Sequence, residues 1–188
     1  MRRFALLVAA FACIGTTASF GQTPAPPPAA LACANGRLPA EILDGPAAKP
    51  PNAPLRTIVV AAPKARLTLA VADDPEMREL GLMCVTRLRP HGGMLFVFES
   101  AAGWEFWMKN TLVPLDMIWL EADGTITSVA ANVPSSQLST PDDAVARRRG
   151  HGLYVIELAA GEAQADGIVA GGKLAIPQNF LVDNLQWL

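Results

Sequence analysis

Asp123-Gly124 lies between two β-rich runs, "LDMIWLEA" before it and "TITSVAANV" after it. Asp-Gly supplies the positive φ angles of a tight hairpin turn, so the pair predicts two adjacent antiparallel strands and commits this part of the chain to sheet. The neighbouring segments agree. "RTIVVAAPKARLTLAVA" reads as two strands interrupted at Ala61 to Lys64, with Pro63 marking a turn or an edge. "GGMLFVF" is apolar throughout and reads as a buried strand. "WEFWMKN" alternates, placing Trp104, Phe106 and Met108 on one face and Glu105, Trp107 and Lys109 on the other. "LYVIEL" is a further strand, and "KLAI" is a last one after the Gly171-Gly172 turn. "DDPEMRELGLM" predicts a short helix capped by Asp73 or Asp74, begun at Pro75, stopped by Gly81, and turning Met77 and Leu80 to the core. "AAGEAQADG" predicts another, closed by Gly167, while "SSQLSTPDDAVARRRG" reads as a long exposed loop. About seven short strands and two short helices, without regular βα alternation, predict a mainly β (β-rich α+β) fold: a compact antiparallel sandwich or partly open barrel.

Of the 188 residues, 51% are hydrophobic and 17% charged, enough apolar material for one substantial core. The formal net charge of -2 argues against a nucleic-acid partner. At the N-terminus, Arg2 and Arg3 precede "FALLVAAFACIG" and then small and polar residues, the layout of a cleaved secretory signal over residues 1–21. Cleavage after Ala18 or Gly21 fits this layout. A lipoprotein anchored at Cys13 fits less well, because Ala10, Phe11 and Ala12 depart from a leucine-rich lipobox. Residues 22–54 are rich in proline and alanine and read as a linker. Residues 55–188 then form the folded body, which has no run long and apolar enough to span a membrane. The expected compartment is periplasmic or secreted. There, Cys33 and Cys84 can pair, or Cys84 can be a small buried hydrophobe beside Met83.

The chain carries no nucleophile elbow and no phosphate loop. His91 and His151 are each isolated and lack the local partner that preorganises a metal, so neither a metal nor a cofactor is expected. Arg147 to Arg149 read as part of the solvated loop. What stands out is "WEFWMKNTLVPLDMIW", where Lys109, Asn110 and Asp116 sit among three tryptophans. If the strands flanking Pro114 pair as a hairpin, Lys109 and Asp116 meet at its base. Three readings compete. In one, the polar groups tie the turn together, with Asn110 bonding its own backbone. In the second, Trp107, Lys109, Asn110 and Asp116, with Glu79 and Trp104, line a site for a small molecule or saccharide, aromatic faces stacking while polar groups orient it. In the third, a hydrolase or lyase uses Asp116 with Lys109 or Glu79. A domain that docks a partner, or is purely structural, is the remaining alternative; the sequence does not define an oligomeric state. The favoured reading is a binding or accessory module.

"ADDPEMRELGLM", "GGMLFVF", "FWMKNTLVPLDMIWLEADGTI" and "YVIELAAGEAQADGIVAGGKL" resemble, in order and spacing, a widespread prokaryotic family catalogued as domain of unknown function 192, an uncharacterised ACR family. The resemblance runs from about Thr57 to Pro177. It implies a compact β-rich fold and brings no established activity with it. Motif positions matched here include Gly81, Gly93, Trp107, Lys109, Asn110, Thr111, Pro114, Asp116 and Gly167. Two departures stand out: Val85 occupies a position where many members carry arginine, and "SSQLSTPDDAVARRRGHG" replaces a cysteine-containing segment.

Overall fold

The computed structural model describes residues 55–177. Residues 1–21, expected to be a signal, and residues 22–54, expected to be a linker, with Cys33 among them, lie outside the described residues. Six strands form one sheet: β1 (Thr57–Ala61), β2 (Arg66–Ala72), β3 (Gly92–Trp107), β4 (Leu115–Leu120), β5 (Ile126–Val133) and β6 (Arg147–Ala159). Their spatial order is β1-β2-β3-β6-β4-β5. Every neighbouring pair is antiparallel except β2 and β3, which run parallel with helix α1 (Pro75–Leu80) in the crossover between them. The mainly β class with two short helices is as predicted, and the sheet does not close into a barrel.

Runs without alternation are strands covered on both faces. All six residues of β4 are buried, and alternate ones enter different cores. Met117 and Trp119 join Met94, Phe96 and Val155 under Met77 of α1 and Leu82, Val85 and Leu88 of the loop that follows. Ile118 and Leu120 join Leu95, Tyr154, Ile156 and Leu158 under Ala163, Ile168, Leu174 and Ile176. Ala163 belongs to the second helix, α2 (Glu162–Ala165).

Helix α1 forms where its caps predict. Asp74 accepts the Met77 amide at 2.8 Å, Pro75 opens the first turn, and Gly81 ends it with φ 47°. At the Asp123-Gly124 turn, the Gly124 amide reaches the Glu121 carbonyl and Gly124 takes φ 83°, so β4 and β5 pair as a hairpin. The Asp123 carboxyl accepts from the Thr125 amide and the Lys173 ammonium, which hold its pKa down to about 2.

Three expectations are corrected. The strand through Trp104–Trp107 does not pair with β4 as a hairpin: β6 lies between them, bonded to both. "GGMLFVF" and "WEFW" are one 16-residue strand, broken in register between Val97 and Ala102. Arg147, Arg148 and Arg149 are not loop but the start of β6, opposite Trp107, Phe106 and Glu105. Their long stems let the guanidinium groups reach water from a paired strand. In addition, "KLAI" contributes isolated bridges rather than a strand. Lys173 pairs with Thr125 beside the β4–β5 turn, and Ala175 pairs with Ala61 at the end of β1. The sheet therefore curls until one short segment touches both of its ends.

A bulge in the β4–β5 ladder explains a polar residue in the core. Leu115 faces Val133 and Met117 faces Ala130, so two residues of β5 stand opposite Asp116. One of them, Asn132, has φ 52°. Its amide is received by Asp116 Oδ1 at 2.8 Å, while Oδ2 receives the Ala163 amide of α2 at 2.9 Å. The fully buried carboxyl thus ties the bulge to the helix. Asp116→Asn replaces one of those acceptors with a donor. It should lower stability by about 2–3 kcal/mol, read as an earlier urea midpoint with unchanged slope.

Candidate functional site

Glu157 is a core carboxyl that the fold leaves unexplained. It stands in the middle of "LYVIEL" on β6, between Met94 of β3 and Met117 of β4. It follows Val155 by two, so it faces the core beneath α1. It is only 4% exposed. Among the described residues its carboxyl has no hydrogen-bond or charge partner, and burial alone pushes its pKa up to about 8. An unpaired buried carboxylate is too costly to keep ionised, so near neutral pH Glu157 is predominantly a neutral acid.

The carboxyl lies on the floor of an inner chamber of about 30 Å³, walled by Leu82, Met83, Phe96, Lys109 and Thr111. Beyond it opens an outer cleft of about 230 Å³, walled by Phe98, Trp104 and Glu105. The two spaces share Arg78, Glu79, Phe106 and Trp107, which makes them parts of one cleft. Local packing fixes the aromatic wall. Phe98 and Trp104 stack at 3.8 Å, Phe106 meets Phe96 edge-on at 4.9 Å, and the Trp104 indole N–H donates to the Gly152 carbonyl at 3.0 Å. Trp107, 36% exposed, carries Arg147 over its ring at 5.0 Å.

The cations of the cleft are already engaged. Arg78 donates to the Asp73 and Val97 carbonyls, both at 2.9 Å, and to Glu99 Oε1 at 3.1 Å. Lys109 donates to Asp142 and to the Thr140 carbonyl. Glu105 pairs with Arg147 and Arg149, whose hydrogen bonds lower its pKa. Glu79, exposed at the rim, makes no ion pair among the described residues.

The six residues singled out from the sequence therefore divide. Trp104, Trp107, Lys109 and Glu79 line the cleft. Asp116 does not: it lies on the opposite face of the sheet with both oxygens taken. Asn110 holds a bend instead. Its φ is 53°, its carbonyl accepts the Cys84 amide at 2.7 Å, and its amide nitrogen sits 4.0 Å from Met83 Sδ rather than bonding its own backbone. Its buried Oδ1 has no partner. Cys84 is disulfide-bonded, and Cys33, proposed as its partner, lies outside the described residues. The histidines are paired with carboxylates, His91 with Asp166 at 3.0 Å and His151 with Glu121 at 2.8 Å. Among the described residues no three His, Cys, Asp or Glu side chains are grouped to hold a metal.

Glu157 lies within the "YVIEL" part of a segment shared with the family but fits no catalytic or metal-binding pattern. Its signal was simpler: one ionisable residue inside an apolar strand long enough to be central.

The family model described as DUF192, Uncharacterized ACR, matches residues 57–176. The chain belongs to the DUF192 family. Two solved structures share its fold. A Sinorhizobium meliloti protein, described as a proposed transcription regulator, is 34% identical, with a TM-score of 0.55 over 64% of this chain and 94% of its own. A Novosphingobium aromaticivorans protein of unknown function is 26% identical, with a TM-score of 0.54 over 75% of this chain and 96% of its own. No curated protein matches the sequence. Several DUF192 motif positions now have structural roles. Gly81 ends α1, Asn110 takes the left-handed bend, and Asp116 ties bulge to helix. At Gly93 a Cβ would stand 2.1 Å from the Glu157 carbonyl.

The neutral acid has a measurable consequence. In the unfolded chain Glu157 ionises near its ordinary value of 4.5, whereas in the fold it holds its proton to about 8. Between those values the unfolded state binds fewer protons, so stability falls as pH rises. Glu157→Gln removes this loss. It should be more stable than the wild type by roughly 2–4 kcal/mol at pH 8, with the difference vanishing near pH 4.5, measured by urea denaturation across that range.

Proposed function

We propose that this protein is a secreted or periplasmic binding module whose cleft, from Trp104 and Trp107 down to Glu157, holds a small organic ligand. One observation carries the reading: a buried carboxyl without a partner faces a chamber that opens to an aromatic cleft. Core positions are apolar unless a partner is present, and such a group in a concave site is the usual mark of a ligand contact. The aromatic wall supports the same reading, since Phe98, Trp104, Phe106 and Trp107 offer apolar area beside the few polar groups that would orient a guest. The basic, apolar and small-residue order of residues 1–21 supports the compartment. An enzyme built on Asp116 finds no support in the geometry, because that carboxyl turns away from Lys109 and Glu79.

The test is a fragment screen on the purified protein, using rings with neutral, cationic and anionic arms, followed by the indole signals of Trp104 and Trp107. Ligands of the cleft should shift both signals, and Trp107→Ala should weaken them by about fivefold or more (about 1 kcal/mol) with little change in melting temperature. If no fragment of any charge moves either indole, the cleft is not a binding site.

A further inference from the structure

Charge in the cleft is unevenly spent. Its two cations face it but are held by groups outside it, Arg78 by Glu99 and two carbonyls, Lys109 by Asp142 and the Thr140 carbonyl. Glu105 is likewise held by two arginines. The carboxyls without partners are Glu79 at the rim and Glu157 at the floor. A ligand anion would find no free cation here and would meet two carboxyls. A ligand cation would find both of them unclaimed.

Size sharpens the class. A chamber of about 30 Å³ has room for roughly two water-sized groups, given that one water needs about 10–15 Å³ of such space. That suits a methylene and an ammonium. The outer cleft of about 230 Å³ exceeds the volume of about 150 Å³ that suffices for benzene in an engineered cavity. Its aromatic rings also favour a cation passing over their faces.

We propose that the ligand is a primary amine on a flat apolar body, its ammonium received by Glu157 in the inner chamber and its ring held against Trp104, Phe106 and Trp107. This rests on the cleft being a binding site. On binding, the Glu157 carboxylic acid releases its proton to solvent, and the carboxylate left behind pairs with the R–NH3⁺ group. The amine keeps its own three protons, so charge and atoms balance. A neutral hydroxyl in the same place would bind the acid without releasing a proton.

The experiment uses the purified protein with 2-phenylethylamine, 2-phenylethanol and phenylacetate, three arms on one ring. Affinity is followed by indole fluorescence, and protons are counted by calorimetry in phosphate and Tris buffers. The amine should bind about tenfold or more tightly than the alcohol or the acid. It should release close to one proton per site and gain about tenfold in affinity per pH unit between pH 6 and 7.5. Glu157→Gln should lose about tenfold of the amine affinity together with its pH dependence, while its urea midpoint shows that it is folded. Equal or tighter binding of the alcohol or phenylacetate, or amine binding without proton release, overturns the cation and leaves the cleft as a site. Unchanged amine affinity in Glu157→Gln overturns the role of that carboxyl. No binding by any of the three overturns the inference, and the wider fragment screen then decides separately whether the cleft binds anything.

Discussion

The fold depends on β6 being hydrogen-bonded along both of its edges. Its residues pair with β3 on one side and with β4 on the other, so Val155, Ile156 and Glu157 each sit in two ladders at once. That double pairing joins the β1-β2-β3 half of the sheet to the β4-β5 hairpin. It also demands close approach: a Cβ at Gly152 would stand 2.3 Å from the Leu120 carbonyl, and one at Gly150 would enter the Trp119 ring. With both edges satisfied and both faces covered, a side chain on the middle of β6 has no route to bulk water except through a gap in the packing. Glu157 occupies that place, and its chamber is the gap.

Two carboxyls on adjacent strands show how differently a core can treat the same chemistry. Asp116, opposite Leu158, is supplied with backbone amides by a bulge and by the start of α2. Glu157, one register step away on the other face, is supplied with none and keeps its proton instead. The first is polar structure, satisfied wholly from within. The second is polarity left for something else to satisfy, which is why it carries the functional reading and Asp116 does not.

Much of this was legible in the residues. Asp74, Pro75 and Gly81 delimit a helix by local chemistry alone, and Asp123-Gly124 makes a turn whose geometry needs no distant partner. The alternation of Trp104, Phe106 and Met108 placed Trp104 and Phe106 on one face, but it put Trp107, which also lines the cleft, on the other. What could not be read was long-range pairing. Nothing in "WEFWMKNTLVPLDMIW" says that a strand from forty residues later will enter between its two halves, so a false hairpin brought Lys109 and Asp116 together. Arg147 to Arg149 failed for a related reason. Their charge suggested a loop, while the partner strand on which they lie is set by β3. Glu157 combined both problems, since its significance appears only once β6 is known to be central.

The segment carrying Lys173 and Ala175 has a temporal consequence. It touches the β4–β5 turn and the end of β1, elements separated by more than sixty residues of chain. Ala61 at the end of β1, already paired with Arg66 of β2, therefore gains its second partner only from residues near the end of the described body. During synthesis the body can assemble its ladders strand by strand, but the link between the β4–β5 turn and β1 forms only after residue 175 has emerged.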